Sequence, residues 1–332
     1  MKISIAMATY NGAEYLSKQL QSFIDQTRQP DELVISDDGS ADSTMEIVEE
    51  FAKTAPFEVR CSRNEQNLGY AGNFNVALMR TTGDLVLLSD QDDVWFPDKI
   101  SRLVELAENN PAQLVYMNDA ALTDAELNEV GLTKLGQIHS AGLNDHYFVM
   151  GCCCAIRREL LDLCLPIPAG YKAHDKWIVR FADGVNARLI CERVLQYYRR
   201  HGNNESHFIV NRLKKTTKWS WCKVLISSNW PPVSEAEELA GLQQKQLLLE
   251  GVERALGRDN GEYTVHLQAM ESEIRAFLQM MERRREIRRK WLLSRLVASL
   301  TYWVDGGYRN ARGLQSVVRD VLGDVFPGVS RY

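Results

Sequence analysis

Between residues 2 and 89 the chain alternates apolar strands with amphipathic helices, and that alternation leaves few folds open. Strands are expected over residues 2–9, 32–36, 57–62 and 84–89, and helices over 14–26, 42–53 and 72–80. The first helix carries Leu16, Leu20, Phe23 and Ile24 on one face, and Pro30 ends it. Ser40 stands where an N-cap for the second helix belongs. Strands that alternate with helices imply a mostly parallel, doubly wound α/β sheet, and such sheets bind ligands at the carboxyl ends of their strands. Three of the four strands end in a polar signature at that edge: Thr9-Tyr10-Asn11, Asp37-Asp38-Gly39 and Asp90-Gln91-Asp92-Asp93.

The third signature carries the most chemistry. An apolar strand delivers Asp90, Asp92 and Asp93 to one loop, and Pro97 then opens a helix. Three carboxylates so close repel one another unless a cation lies between them. Oxygen ligands on a loop suit a hard ion that keeps open positions, Mg²⁺ or Mn²⁺, and such an ion can hold a diphosphate. An isolated loop of this kind could equally be an acidic cap on the following helix.

Composition sets the bounds. The chain has 332 residues, 45% hydrophobic and 25% charged, which is enough for a sizeable core and two domains. The seven cysteines lack zinc-type spacing, and the run Cys152-Cys153-Cys154 has no histidine cluster beside it, so reduced packing thiols are expected. No apolar run reaches the ~18 residues of a membrane span. The N-terminus reads directly as a strand, and a cytoplasmic location is expected. Charge is uneven. Residues 212–332 hold 20 Lys and Arg against 14 Asp and Glu, a net of +6, whereas residues 1–211 carry a net of −11. The division expected is a catalytic domain at 1–211 and a helical region at 212–332. Within the latter, the basic run 283–290 precedes an apolar, tryptophan-bearing stretch at 291–304. That stretch suits either an anionic membrane surface, on the inner face of the cell membrane, or a bundle or homo-oligomer interface.

Taken together, Ala8-Thr-Tyr-Asn-Gly12, Asp37-Asp-Gly-Ser40, Asn67-Leu-Gly69, Ser89-Asp-Gln-Asp-Asp-Val-Trp-Phe-Pro97, His174-Asp-Lys-Trp177 and Tyr198-Arg-Arg-His-Gly-Asn-Asn204 resemble glycosyltransferase family 2, of the GT-A fold. The motifs run through roughly the first 210 residues, and the chain is most similar to bacterial rhamnosyltransferases of polysaccharide assembly. The resemblance implies an inverting, metal-dependent transfer from dTDP-L-rhamnose to a hydroxyl of a glycan or lipid-linked glycan, and no nucleic-acid partner. A UDP-hexose or UDP-N-acetylhexosamine donor is the alternative, and a non-catalytic sugar-nucleotide or glycan-binding module is a second.

The same resemblance implies roles. Thr9, Tyr10, Asn11 and Asp38 would hold the base: a carboxylate can accept the ring N3–H of thymine or uracil, and Tyr10 can stack. Asp38 could instead compensate the following helix, and Asp37 reads as structural. Asn67 and Gly69 would lie near the donor, with a tight turn as the other reading of Gly69. Asp90 would contact the ribose. Asp92 would ligate the metal, with Asp93 in support and His201 completing the shell or binding the diphosphate. Arg199 and Arg200 suit phosphate. Asp175 is the general base implied for the acceptor hydroxyl; the plain alternative is a helix cap. His174 either orients base or acceptor or packs. Gly151 begins a segment that would face the acceptor, and Trp95 and Trp177 would wall the sugar or belong to the core. Asn203 and Asn204 match the family's ending without an assigned task.

Overall fold

The computed structural model describes residues 1–202, 213–219, 235–308, 316–317 and 320–321. Asn203, Asn204 and the expected 211/212 boundary lie outside these residues. The chain divides into two compact units, Met1–Trp221 and Cys222–Tyr332.

The first unit is built on one nine-stranded sheet. Its opening half follows the alternation: β1 (Ile3–Thr9), α1 (Ala13–Ile24), β2 (Glu32–Asp37), α2 (Thr44–Thr54), β3 (Glu58–Arg63), α3 (Gly69–Arg80) and β4 (Leu85–Ser89). β3, β2, β1 and β4 lie side by side and parallel. β2 and β4 are buried at every residue, and β1 at all but one, as strands covered on both faces must be. Ile3, Ile5, Met7, Leu33, Ile35, Leu85 and Leu87 form the centre, and Leu16, Leu20 and Phe23 of α1 close one side.

Beyond β4 the sheet is mixed. β5 (Val94–Trp95), α4 (Lys99–Asn109), β6 (Val115–Thr123), β7 (Glu129–Thr133), α5 (Lys134–Ser140), β8 (Cys154–Arg157), α6 (Arg158–Cys164), α7 (His174–Gly184) and β9 (Arg188–Arg199) follow in order. β8 is inserted antiparallel between β4 and β6, β9 runs parallel to β6, and β5 pairs antiparallel with β9. The segment from Gly151, whose sequence reads as a short helix over 151–163, is instead a short 3-10 turn, then β8, then α6. Ser40 does not cap α2, whose N-cap is Ser43. Its hydroxyl instead binds Asp37 and accepts the Asn11 N–H at 2.9 Å, tying the β1 and β2 loops together.

The second unit holds α8 (Glu235–Leu256), α9 (Thr264–Arg288) and α10 (Leu292–Val304). α8 buries Leu248, Leu249, Val252 and Ala255, and α9 buries Leu267, Ile274, Met280 and Ile287. Arg284 of α9 is buried and forms a two-point ion pair with Asp320 at 2.7 and 3.1 Å, which Tyr308 also binds at 2.9 Å. Leaving one member of such a group unpaired would cost several kcal/mol, on the order of 3–5. α10 is different in kind. Around and along it Trp291, Leu293, Val297, Trp303 and Val304 remain exposed, and no described helix is long and apolar enough to cross a membrane.

Candidate active site

The polar ends of β1, β2 and β4 meet at one edge of the sheet, and each loop is held by the others. Asp37 is fully buried. It accepts hydrogen bonds from the N–H groups of Gly39 and Ser40 at 3.1 and 2.9 Å, and from the Thr9 hydroxyl at 3.0 Å. Thr9 is thereby corrected: its hydroxyl is buried against Asp37, and its carbonyl accepts from Asn73 at 3.0 Å, so it braces the loop and does not face a ligand.

Asp38 takes the N–H of Leu68 and the amide of Asn64 on Oδ1, at 2.8 and 3.0 Å. Both bonds use one oxygen, which leaves Oδ2 for a partner from outside the described residues. Asn67 donates to the Asp38 carbonyl and accepts the N–H of Gly69, whose φ of +71° gives it the turn role. Asn11 sits at φ +47° with its side chain capping Ala41 at 2.8 Å, a conformation asparagine tolerates better than most residues. Tyr10, 50% exposed, is the open aromatic of this edge. Gln91 fixes its backbone from both sides, accepting the Tyr10 N–H at 2.9 Å and donating to its carbonyl at 3.0 Å.

The acidic loop after β4 brings its carboxylates together. Asp92 lies 2.7 Å from Nε2 of His201, although 109 residues separate them. The imidazole packs on Tyr15 of α1 at a ring distance of 4.8 Å. Asp93 is sealed: Gln196 donates to its Oδ2 at 2.8 Å and the Arg199 N–H to its Oδ1 at 3.3 Å. Beneath it, the buried Lys99 donates to Gln196 and to the Cys152 carbonyl at 2.8 Å, and lies 4.1 Å from the centre of the Trp95 ring. Ligating atoms of Asp90, Asp93 and Cys152 fall within 4.8 Å of one another.

These groups strain one another electrostatically. Burial first, then the charges of Asp92 and Asp175, push Asp90 up to about 7, with the Cys152 thiol acting in the opposite sense. Burial, Asp92 and Asp90 raise Asp93 well above the usual carboxylate range. A cation between them would remove that repulsion. Two donor sets compete. In the Asp90–Asp93–Cys152 set the thiol is raised by burial and stays protonated, and Asp93 has both oxygens engaged. The Asp92–His201 pair is partly accessible and offers hard oxygen and imidazole nitrogen, so it fits Mg²⁺ or Mn²⁺ better, with Asp90 alongside.

Asp175 opens α7, is half-buried, and accepts the adjacent Lys176 N–H at 2.7 Å. Its charge acts on Asp90 of the acidic loop and on Cys154. His174 is sealed behind it. The ring stacks on Phe74 at 3.9 Å and meets Tyr70 edge-on at 5.5 Å; neither ring nitrogen has a partner among the described residues. Burial brings its pKa down to about 4, so the ring is neutral and packs. Gly151 touches it: a Cβ at 151 would come within 2.6 Å of Nε2. Gly151 therefore supports α7 from below, being itself buried, and is not an acceptor-facing surface.

Of the two readings of Trp95 and Trp177, the core one holds: they are 2% and 0% exposed, Trp95 packs on Phe23, and Trp177 donates its indole N–H to the Cys164 carbonyl at 3.0 Å. Arg199 does not reach for phosphate. It is buried, donates to the carbonyls of Asp92 (2.7 Å) and Ala125, and lies over the Tyr15 ring at 4.6 Å, so it clamps the acidic loop. Arg200 is the one of the pair that keeps exposure; it meets the Tyr198 hydroxyl at 3.4 Å. Gln91, Lys99, Gln196 and Tyr15 went unread in the sequence. For Gln91 alone there was a signal, its place between the acids of the loop.

A family model described as glycosyl transferase family 2 matches residues 4–164. A glycosyltransferase of Nostoc sp. is 29% identical over 214 residues, covering 61% of this chain and 66% of its own length. The dTDP-rhamnosyl transferase RfbG of Shigella flexneri is 28% identical over 222 residues, covering 60% of this chain and 73% of its own. Among solved structures, S. aureus TarS in complex with UDP-GlcNAc aligns with a TM-score of 0.54 at 18% identity, covering 99% of this chain and 82% of that one.

Proposed function

From the premise that residues 4–164 place this chain in glycosyl transferase family 2, we propose that it transfers a sugar from a nucleoside-diphosphate donor to a hydroxyl, with inversion. The observation that carries this reading is the convergence of Asp92 and His201, 2.7 Å apart, with Asp90 and Asp175 in one electrostatic neighbourhood.

Each residue has a task that its setting suits. Tyr10 offers a face for stacking a base, and Asp38 Oδ2 accepts a ring N–H. Asp92 and His201 would hold Mg²⁺ or Mn²⁺, with Asp90 beside them. When bound, a divalent ion neutralises charge on the leaving nucleoside diphosphate. Asp175 takes the proton of the acceptor hydroxyl as its oxygen attacks the anomeric carbon. Asp37, Arg199 and the Lys99–Gln196–Asp93 chain hold these groups in register.

L-rhamnose on dTDP is the donor proposed, supported by the similarity to RfbG along 60% of the chain. A UDP-linked donor is the second reading, since a protein of like fold was solved with UDP-GlcNAc. A panel of dTDP- and UDP-sugars, scored by nucleoside diphosphate release with Mn²⁺ and with EDTA, decides both points. Release from no donor, or release indifferent to EDTA, would refute the reading. Asp175→Asn is expected to bind donor normally and lose transfer.

The acceptor proposed is a glycan, free or lipid-linked. In support of a lipid-linked one, α10 and the Trp291 that precedes it leave Trp291 and Val304 71% and 84% exposed, directly after a basic run in which Arg283 and Lys290 line a surface hollow of about 530 Å³ together with Leu293 and Val297. Such a helix suits the interface of an anionic bilayer. Sedimentation of the full chain with anionic vesicles at low salt tests this; failure to bind would remove the membrane role and favour an oligomer contact.

A further inference from the structure

Tyr15 stands in the first turn of α1, where its N–H donates to the Gly12 carbonyl at 3.1 Å, so it springs from the loop that carries Tyr10. The helix gives Leu16, Leu20 and Phe23 to the core, but Tyr15 lies outside that cluster and is half-buried. Its ring meets polar groups instead. The His201 imidazole lies 4.8 Å from it with the two planes inclined by 34°, and the Arg199 guanidinium lies over it at 4.6 Å. Both neighbours lead to one residue. His201 Nε2 is 2.7 Å from a carboxylate oxygen of Asp92, and Arg199 Nε donates to the Asp92 carbonyl at 2.7 Å. Tyr15 thus closes a circuit of contacts around Asp92, and it comes from neither the acidic loop nor the end of β9.

The circuit bears on the orientation of the imidazole. His201 lies two residues past the last residue of β9, whose ladder with β6 ends at the pair Thr123–Arg199. The bond to Asp92 fixes where Nε2 sits, and a single bond leaves the imidazole plane free to turn about that line. Contact with a second aromatic ring opposes that turn. An ion held by both side chains would replace the Asp92–His201 bond, whereas the contact with Tyr15 would persist. Groups that orient a metal-binding histidine from behind are worth about 10–100-fold in metal affinity. Arg199, held over the same ring, steadies the phenol in turn.

We propose that Tyr15 is a positioning residue for the metal pair: it sets the plane of the His201 imidazole and thereby the affinity of Asp92 and His201 for a divalent cation. The proposal rests on the reading of Asp92 and His201 as metal ligands. The aromatic ring performs this task, and the phenol hydroxyl is not needed for it.

The test uses the full chain with four variants: Tyr15→Phe, which keeps the ring, Tyr15→Leu, which keeps apolar bulk and suits a helix, His201→Ala, and Tyr15→Leu combined with His201→Ala. Free Mn²⁺ is counted by electron paramagnetic resonance during titration, with dTDP present, no acceptor, and a protein-free blank. Thermal melting is recorded without metal. Tyr15→Leu is expected to bind Mn²⁺ about tenfold more weakly, and Tyr15→Phe within about twofold of wild type. Because Tyr15 acts through His201, the double variant should bind no more weakly than His201→Ala alone. A tyrosine that only filled space would lower the melting temperature of Tyr15→Leu and leave its Mn²⁺ affinity intact. That result, a phenylalanine variant as weak as the leucine one, or losses that add in the double variant, overturns the proposal. The reading beneath it fails separately: full Mn²⁺ affinity in His201→Ala would remove His201 from the metal site, and the proposal with it, whatever Tyr15→Leu does.

Discussion

Replacing Gly151 by alanine tests how the base is positioned. The added Cβ would lie 2.6 Å from Nε2 of His174, where ordinary contact begins near 3.4 Å, so the ring must retreat by about 0.8 Å. It has little room to do so, because Phe74 stacks on it at 3.9 Å and Tyr70 closes a second side. Overpacking of this kind costs ~1–3 kcal/mol. His174 is the first residue of α7 and Asp175 the second, so the displacement passes to the carboxylate through one peptide unit. A shift near 1 Å at a reacting group costs on the order of 100-fold in rate. Gly151→Ala is therefore expected to lower kcat by one to two orders of magnitude, with the KM for donor nearly unchanged, since Tyr10, Asp38 and Asp92 lie on other loops. Thermal melting should fall modestly. Gly151→Ala combined with His174→Ala removes the clash, and kcat of the double variant should exceed that of Gly151→Ala alone. Wild-type kcat in the single variant, or no recovery in the double, would show that Asp175 is not placed through this contact.

Glu32 is buried, and burial alone would raise its pKa; hydrogen bonds from Ser4, the Thr82 N–H, Arg60 and the Thr82 hydroxyl outweigh that and bring it from 4.5 to about 2. Because the folded value lies below the unfolded one, the stabilisation, on the order of 3 kcal/mol, is full above about pH 4.5 and is lost as pH falls through about 2. Urea midpoints measured against pH should drop less steeply between pH 5 and 2 for Glu32→Gln than for wild type; parallel curves would contradict the assignment. Gln91→Ala frees both backbone groups of Tyr10 and should weaken nucleotide binding about tenfold by calorimetry, two hydrogen bonds at ~0.5–1.5 kcal/mol each; unchanged affinity would show that the loop holds itself. Lys99→Met leaves Gln196 without its cation and should lower stability by ~3 kcal/mol in urea unfolding, while an unchanged midpoint would mean that the buried chain from Lys99 to Asp93 contributes nothing.

The half of the fold that was legible is the parallel half, in which helices alternate with strands. β1, β2 and β4 announce themselves through apolar runs closed by polar clusters, because parallel strands buried on both faces must be apolar and must turn where their ligands sit. β8 gave no such signal. It has four residues, Cys154–Arg157, at the end of the short apolar run 151–156, and a run of that length reads as helix or strand equally well. Only its partners β4 and β6, 68 and 39 residues away by the pairs Leu87–Ala155 and Tyr116–Ala155, decide the matter.

The site divides along the same line. A carboxylate or an exposed aromatic at a strand end declares its chemistry by type, which is why Asp92, Asp175 and Tyr10 could be named in advance. A guanidinium does not. Arg199 and Arg200 are adjacent and chemically identical, and both suit phosphate until the alternation of β9 turns one inward onto the carbonyl of Asp92 and leaves the other outward. The inward arginine clamps the loop, and its inward direction is set by pairing with β6 across the sheet. Trp95 follows the same logic. Its β5 pairing with β9 directs it onto Phe23 and over Lys99, where it shields a buried cation and cannot meet a sugar. Residue type fixes what a group can do; long-range register decides whether it faces the ligand or the scaffold, and local sequence carries almost none of that register.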